Sequence, residues 1–293
     1  MILYYLVVPI LYFFAYFPSP VLYKLADGLA FLLRDIFKYR KTVVLTNLRN
    51  SFPEKNEKEI EAIAKESYTH LADRVVENIK CLTIKPEEYW ARCTVENIEL
   101  LTKLYDEERD VVLMIAHSNC WEYAGYVAHT LTKFKIFGVY SPAKNKYFND
   151  LIVSTRGKLG MHMISMKDTS AYFKEKPEER AFHVFFTDQS PSNPNNAYWT
   201  KFMNQDTPFF YGGARYAVKH NCVPVYAKIV QLKRGYYRVY LSKIKEDATG
   251  CTPDEIVEGF SKKLEAQLRE HPAQWLWSHK RWKHKPLNLK KRT

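Results

Sequence analysis

The sequence predicts an α/β fold: a mixed, mostly parallel central sheet with helices on both faces, plus N-terminal membrane-associated helices. Three observations predict it. Short apolar, β-branched runs alternate with helical stretches from residue 111 onward, the pattern of strands joined by crossover helices. The block VVLMIAHSNCWE (111–122) is a buried-strand run that stops at His117 and passes into residues suited to a helix start. Residues 2–17, ILYYLVVPILYFFAYF, carry no charge. The chain accordingly divides into an apolar anchoring helix or hairpin over 1–34, one domain over 35–285, and a basic tail over 286–293.

Taken in order, 2–17 is shorter than the roughly 20 residues of a full membrane span and contains Pro9. A second apolar stretch, VLYKLADGLAFLL, follows Pro18-Ser19-Pro20. With no basic segment ahead and no A-x-A site behind, a removed signal peptide is not expected. A membrane-seated anchor is expected, tilted or re-entrant, in preference to a buried helical hairpin. Arg34, Lys38, Arg40 and Lys41 would keep the following chain on the cytoplasmic side. Residues 54–82 place Ile60, Ile63, Leu71, Val75 and Ile79 near helical spacing, an amphipathic helix. Strands are expected at 111–116, 134–140, MHMISM and 181–189; helices are expected at 119–132, 146–160, DTSAYFKEK and 208–220. VPVYAKIVQL and YYRVYLSKI form a hairpin through Lys233-Arg234-Gly235, and helix 253–271 closes the domain.

Composition narrows the function. A net charge of +12 and a pI near 9.3 suit anionic partners: nucleic acid, an acidic carrier protein or an anionic membrane face. There is no G-x-G-x-x-G or G-x-x-x-x-G-K-[ST] string, which removes the common nucleotide cradles. Five cysteines without a C-x-x-C pair argue against a disulfide framework or structural zinc.

The chemistry-bearing residues gather at strand ends. His117 ends the first core strand, and Glu122 lies on the first turn of the next helix, close enough to orient the ring as a general base. Ser118 or Asn119 is suited to cap that helix. A metalloprotease pair needs a second histidine one turn on, and none is present. Cys120 beside His117 is read as a small apolar thiol before it is read as a nucleophile. A core histidine satisfied by a carbonyl is the plain alternative, and the polar neighbours weigh against it. Later strand ends carry Lys144, Asn145 and Arg156, then Asp188 and Gln189, then Asn204, Thr207, Gly212 and Gly213. Arg156 becomes a candidate clamp for a phosphate or an oxyanion. Asp188 equally suits a turn, and Gly212-Gly213 equally suits close packing.

The ordered blocks AHSNCWE, VYSPAKNKYFND…RGKLGM, FFTDQSP…FMNQDTPFFYGGARYA and HPAQWLWSHKRWK, with YRKTVVLTNLRNSFPEK upstream, resemble the bacterial lipid A biosynthesis acyltransferases. These are the late lauroyl/myristoyl transferases of the lysophospholipid acyltransferase superfamily, and the resemblance covers nearly the whole chain. It implies that His117 and Glu122 occupy the family's H-x-x-x-x-[DE] motif as base and orienter. It implies substrate contacts from Arg156, Asp188, Gln189, Asn204 and Gly212, with Asn119 and Lys144 as further candidates beside the same blocks. Where many relatives carry Glu two positions after that glycine, this chain has Ala214. The implied reaction is O-acyl transfer from an acyl carrier protein thioester to a hydroxyl of a lipid A precursor, at the cytoplasmic face of a bacterial inner membrane. It needs no metal or organic cofactor. Acylation of a lysophospholipid or an aminolipid is the alternative acceptor. A non-catalytic basic membrane or nucleic-acid binder using WSHKRWKHK (277–285) is the alternative of a different class, and it leaves the strand-end His117 unexplained.

Overall fold

The computed structural model describes residues 2–175, 179–246 and 250–285, so the expected basic tail lies outside the described residues. Two helices lead: α1 (Ile2–Ala15) and α2 (Ser19–Phe31), the second continued by a π-helical turn at Leu32–Ile36. Pro18 and Pro20 flank the start of α2, where the missing proline N–H costs no helical hydrogen bond. Next come α3 (Lys41–Ser51), α4 (Glu57–Lys80) and α5 (Pro86–Arg92), then β1 (Cys93–Glu96), α6 (Glu99–Asp106), β2 (Val111–Ile115) and α7 (Trp121–Leu131). The chain continues through β3 (Lys135–Tyr140), α8 (Lys146–Lys158), β4 (Met161–Ser165), α9 (Thr169–Tyr172) and β5 (Ala181–Phe186). A hairpin follows, β6 (Tyr198–Phe202) and β7 (Gln205–Phe209), then α10 (Gly212–Lys219), β8 (Val223–Lys233), β9 (Tyr236–Lys243) and α11 (Pro253–Glu270).

The main sheet has seven strands in the order β1-β9-β8-β2-β5-β3-β4, parallel throughout except for the β8–β9 hairpin. Gly235 makes that hairpin's turn at φ 77°, where an added Cβ would collide with the Tyr23 hydroxyl at 2.2 Å. Strand alternation divides the core in two. Val112, Met114, Phe185 and Tyr226 face one side, packed under α3, α4, α10 and α11. Leu113, Ile115, Phe182 and Val225 face the other, under α6 and α7.

Three local expectations change. The 208–220 segment is not one helix: Thr207, Pro208 and Phe209 pair with Thr200, Trp199 and Tyr198 in the β6–β7 hairpin, and the helix starts only at Gly212. Neither Ser118 nor Asn119 caps α7; the cap position is Cys120, with no side-chain bond. Helix α4 does begin with a capping box, Asn56 with Glu59. Its second half, however, turns charge inward: Asp73, Arg74 and Glu77 are buried, while Val75 is exposed. Those charges find partners that helical spacing cannot reveal, such as Arg234 at 2.6 Å from Asp73.

The N-terminal pair is docked on α4. Leu22, Ala26 and Ala30 pack against Ala72 and Val76, and Lys80 donates to the Ala15 and Phe17 carbonyls at 3.2 and 3.3 Å. The outer face of α1 stays apolar and exposed at Tyr5, Leu6, Ile10, Phe13 and Tyr16. Among the described residues no helix is long and apolar enough to cross a membrane.

Candidate active site

Sheet register builds the site. Ile115 of β2 lies opposite Phe186 of β5, so two residues beyond each, His117 and Asp188 stand side by side at the carboxyl edge. This is where open α/β sheets place their ligands. The His117 Nδ1–H meets Asp188 Oδ1 at 2.7 Å, and the His117 backbone N–H donates to Oδ2 at 3.0 Å. The Trp275 indole N–H adds a third bond, to Oδ2 at 2.8 Å. Burial alone would raise the Asp188 carboxyl; the His117 ring and backbone and the Trp275 indole outweigh it and hold the group below the usual carboxylate range. The imidazole packs against Phe186 and Trp121, with ring centroids 4.3 and 5.2 Å away. Its Nε2 has no protein partner among the described residues, and His117 lines a cavity.

The carboxylate in contact with the His117 ring is therefore Asp188, and the sequence-adjacent Glu122 is engaged elsewhere. Glu122 Oε1 accepts from Arg156 Nη2 at 2.8 Å and Nε at 3.2 Å, and from the Trp121 indole at 3.1 Å. The reason is topological. Asn119 turns the chain through a left-handed φ of 56° before α7 starts, so the first turn of α7 meets α8, while the ring nitrogen meets the neighbouring strand end. Asn tolerates that conformation better than most residues.

The loop after β2 is clamped from below. Arg74, buried on α4, donates to the His117 carbonyl at 2.8 Å. Gln267 of α11 donates to Ser118 Oγ at 3.2 Å. Asn119 Nδ2 donates to the Ile229 carbonyl at 2.7 Å and to Gln274 Oε1 at 2.9 Å. Asn119 thus holds the loop and does not line the cavity. Cys120 is fully buried, and desolvation followed by the nearby Glu77 pushes its thiol well above its ordinary value, which suits the structural reading.

The cavity has a volume of about 570 Å³, inside the roughly 300–1,000 Å³ usual for ligand sites. It lies beneath α7 and crosses the face of the sheet on either side of His117. One arm is lined by Leu101, Ala227, Val239 and Leu241; the other by Ile136, Gly138, Met161 and Met163. Its mouth carries Ser141, Asn149, Arg156 and Gln189 and reaches round the sheet edge to Gly212 and Gly213. A Cβ on Gly212 would meet nothing within 4 Å, so this glycine leaves open space, whereas one on Gly213 would press on Phe185 at 3.1 Å.

Of the sequence-predicted residues, His117, Glu122, Arg156, Gln189 and Gly212 share this cavity. Asp188 sits immediately behind His117. Lys144 is exposed on the loop beside the mouth and is not part of its lining. Asn204 lies apart, in the β6–β7 turn at φ 65°, where it donates to the Ser51 carbonyl at 3.1 Å. Ala214 is fully buried in the α10 core. Sequence reasoning missed Arg74, Trp275 and Gln267. A charged residue inside the apolar register of α4 was a usable signal for the first; the other two meet the loop only through tertiary packing.

Comparison with known proteins adds an independent line. A family model described as bacterial lipid A biosynthesis acyltransferase matches residues 1–284. The lipid A biosynthesis palmitoleoyltransferase of Escherichia coli (strain K12) is 21% identical over 282 residues, covering 95% of this chain and 90% of its own. The lipid A biosynthesis acyltransferase of Shigella flexneri matches with the same identity and coverage.

Proposed function

The chain belongs to the bacterial lipid A biosynthesis acyltransferase family, and on that footing we propose that it moves a fatty acyl chain from an acyl carrier protein thioester to a hydroxyl of a lipid A precursor. The observation that carries the reading is the His117–Asp188 pair, 2.7 Å apart, opening onto an apolar cavity.

Asp188 fixes the tautomer with the proton on Nδ1, which leaves Nε2 as the basic nitrogen facing substrate. The acceptor hydroxyl gives its proton to Nε2 as its oxygen attacks the thioester carbonyl. The new C–O bond forms, and the carbonyl electrons move onto oxygen. Arg156, at the mouth, is the cation that faces this oxyanion, and its bond to Glu122 sets its direction. Collapse breaks the C–S bond, and the imidazolium returns its proton to the departing thiolate. Asp188, held anionic, stabilises the imidazolium in between. The apolar arms shelter the acyl chain, and their burial of methylenes supplies binding at about 0.8 kcal/mol per group.

The donor and membrane proposals rest on charge and on exposed apolar surface. A net charge of +12 suits an acidic carrier protein and an anionic lipid surface. The bare apolar face of α1 and the exposed Lys38, Arg40 and Lys41 suit a helix lying in the interface at the cytoplasmic face of the inner membrane.

The test is replacement of His117 by Ala, with acyl transfer followed by mass spectrometry from acyl–acyl carrier protein to a tetra-acylated disaccharide lipid and, separately, to lysophosphatidic acid. Transfer to the disaccharide is expected from the native chain, and its loss by about 10²–10⁴-fold from the variant, with folding and vesicle attachment kept. Undiminished transfer by the variant would remove the base. Preference for lysophosphatidic acid would move the acceptor.

A further inference from the structure

The Trp-rich C-terminal segment, residues 271–285, has no part in the reaction as written, yet it is built into the centre of the molecule. Trp275 and Trp277 are buried. Trp275 donates to Asp188, and Gln274 Oε1 accepts from Asn119 and from the Gln231 backbone N–H at 3.1 Å. Six residues beyond Trp275, Arg281 is completely buried, and none of its three guanidinium nitrogens has a hydrogen-bond partner among the described residues. Its guanidinium lies 4.5 Å above the Phe209 ring. Phe202 links that ring to Trp275, with centroids 5.2 Å from Phe209 and 6.0 Å from Trp275.

A buried cation without a partner is expensive, and a fold keeps one only where its charge acts on something. Among the described residues, the anion whose charge acts on it is Asp188. Among the described residues, His117 at the end of β2 and Trp275 of the C-terminal segment bond to Asp188, and its charge also acts on Arg74 of α4, Tyr226 of β8, and His279 and Arg281 of the C-terminal segment. Two buried guanidiniums thus flank one buried carboxylate without bonding to it. They are free to act as fixed charge, since neither competes with His117 for its oxygens.

We propose that Trp275 and Arg281 are positioning residues of the acyl-transfer centre: the indole N–H fixes the carboxylate of Asp188 against His117, and the Arg281 guanidinium, linked through Phe209 and Phe202 to Trp275, places buried positive charge behind that indole. The inference rests on His117 acting as the base. Removing positive charge at that depth leaves an imidazolium less opposed, and that change is what the experiment reads.

The experiment uses the full chain in detergent micelles with acyl–acyl carrier protein and a tetra-acylated disaccharide lipid as probes. Trp275→Phe keeps the ring and removes the donor; Arg281→Met keeps most of the volume and removes the charge. Trp275→Phe should lower kcat about tenfold with KM nearly unchanged, the cost of one hydrogen bond to a charged group. Both variants should move the acid limb of kcat/KM to higher pH, and the imidazole C–H resonance of His117 should titrate at higher pH with it. A merely structural role lowers the folded fraction and moves neither limb nor resonance, and that result would overturn the inference. If Arg281→Met does not fold, Trp275→Phe decides the matter alone. His117→Ala in parallel separates the two levels. Surviving transfer sinks the function and this inference together; lost transfer with unmoved limbs sinks this inference only.

Discussion

Two carboxylates are buried almost equally in this protein, Asp188 behind the strand ends and Glu77 beneath α2, and their affinities for a proton move in opposite directions. Asp188 receives the His117 ring and backbone N–H and the Trp275 indole, and it sits below the usual carboxylate range. Glu77 receives neutral donors, the hydroxyls of Tyr237 at 2.6 Å and Tyr23 at 2.8 Å and the Cys120 thiol. Burial, reinforced by the nearby Asp73 charge and only partly offset by those neutral hydrogen bonds, pushes Glu77 up to about 7. Burial is thus common to both and decides neither. A group that can itself carry positive charge, at the end of the neighbouring strand, makes Asp188 an anion able to support an imidazolium; neutral donors leave Glu77 a carboxyl that holds its proton to higher pH.

The comparison breaks first at Asp188→Asn. An amide cannot balance the imidazolium and presents either acceptor or donor to Nδ1, so the tautomer is no longer fixed. Loss of about 10⁴-fold in kcat is expected, the scale seen when a triad carboxylate becomes an amide elsewhere. Circular dichroism should report an unchanged fold. Activity within tenfold of native would mean that the Asp188 charge is not what the reaction uses.

Glu122→Gln sharpens the contrast with a smaller effect. It weakens the hold on Arg156 and leaves Asp188 against the ring, so a loss of about 10–10²-fold is expected, below that of losing an oxyanion donor outright. The titration of His117 followed by NMR should not move. If it shifts as far as in Asp188→Asn, then Glu122 is the group that sets the ring, as its sequence position first implied.

That difference also measures what the sequence makes legible. Strand and helix positions from 111 onward follow from hydrophobic period, and the His117 position follows from an apolar run ending in an imidazole. Glu122 was paired with His117 because it is close in sequence. Its true partner, Arg156, lies 34 positions away, and Asp188 lies 71 positions from His117. Both distances are closed by sheet register and helix crossing, which no local pattern encodes. The β6–β7 hairpin was hidden for a related reason: Pro208 and the glycines read as a helix start, and only pairing with Tyr198–Thr200 makes the preceding residues a strand. The inward charges of α4 were hidden because amphipathic period assumes that charge faces water.

The smallest expected effect lies on stability, at Glu77. In the unfolded chain this carboxyl ionises near its ordinary value of 4.5, and in the fold at about 7. A raised acid group favours the folded state fully below the unfolded value, and that contribution is lost as pH rises through the folded one. Glu77→Gln keeps an acceptor for Tyr23 and Tyr237 and has no proton to lose. Native melting temperature should therefore fall relative to Glu77→Gln between pH 5 and pH 8, by about 5 °C for a chain of this size. Acyl transfer should change little, because Glu77 does not line the cavity. Melting curves that keep a constant separation across this range would show that Glu77 ionises without cost, and would place it with Asp188 instead of opposite it.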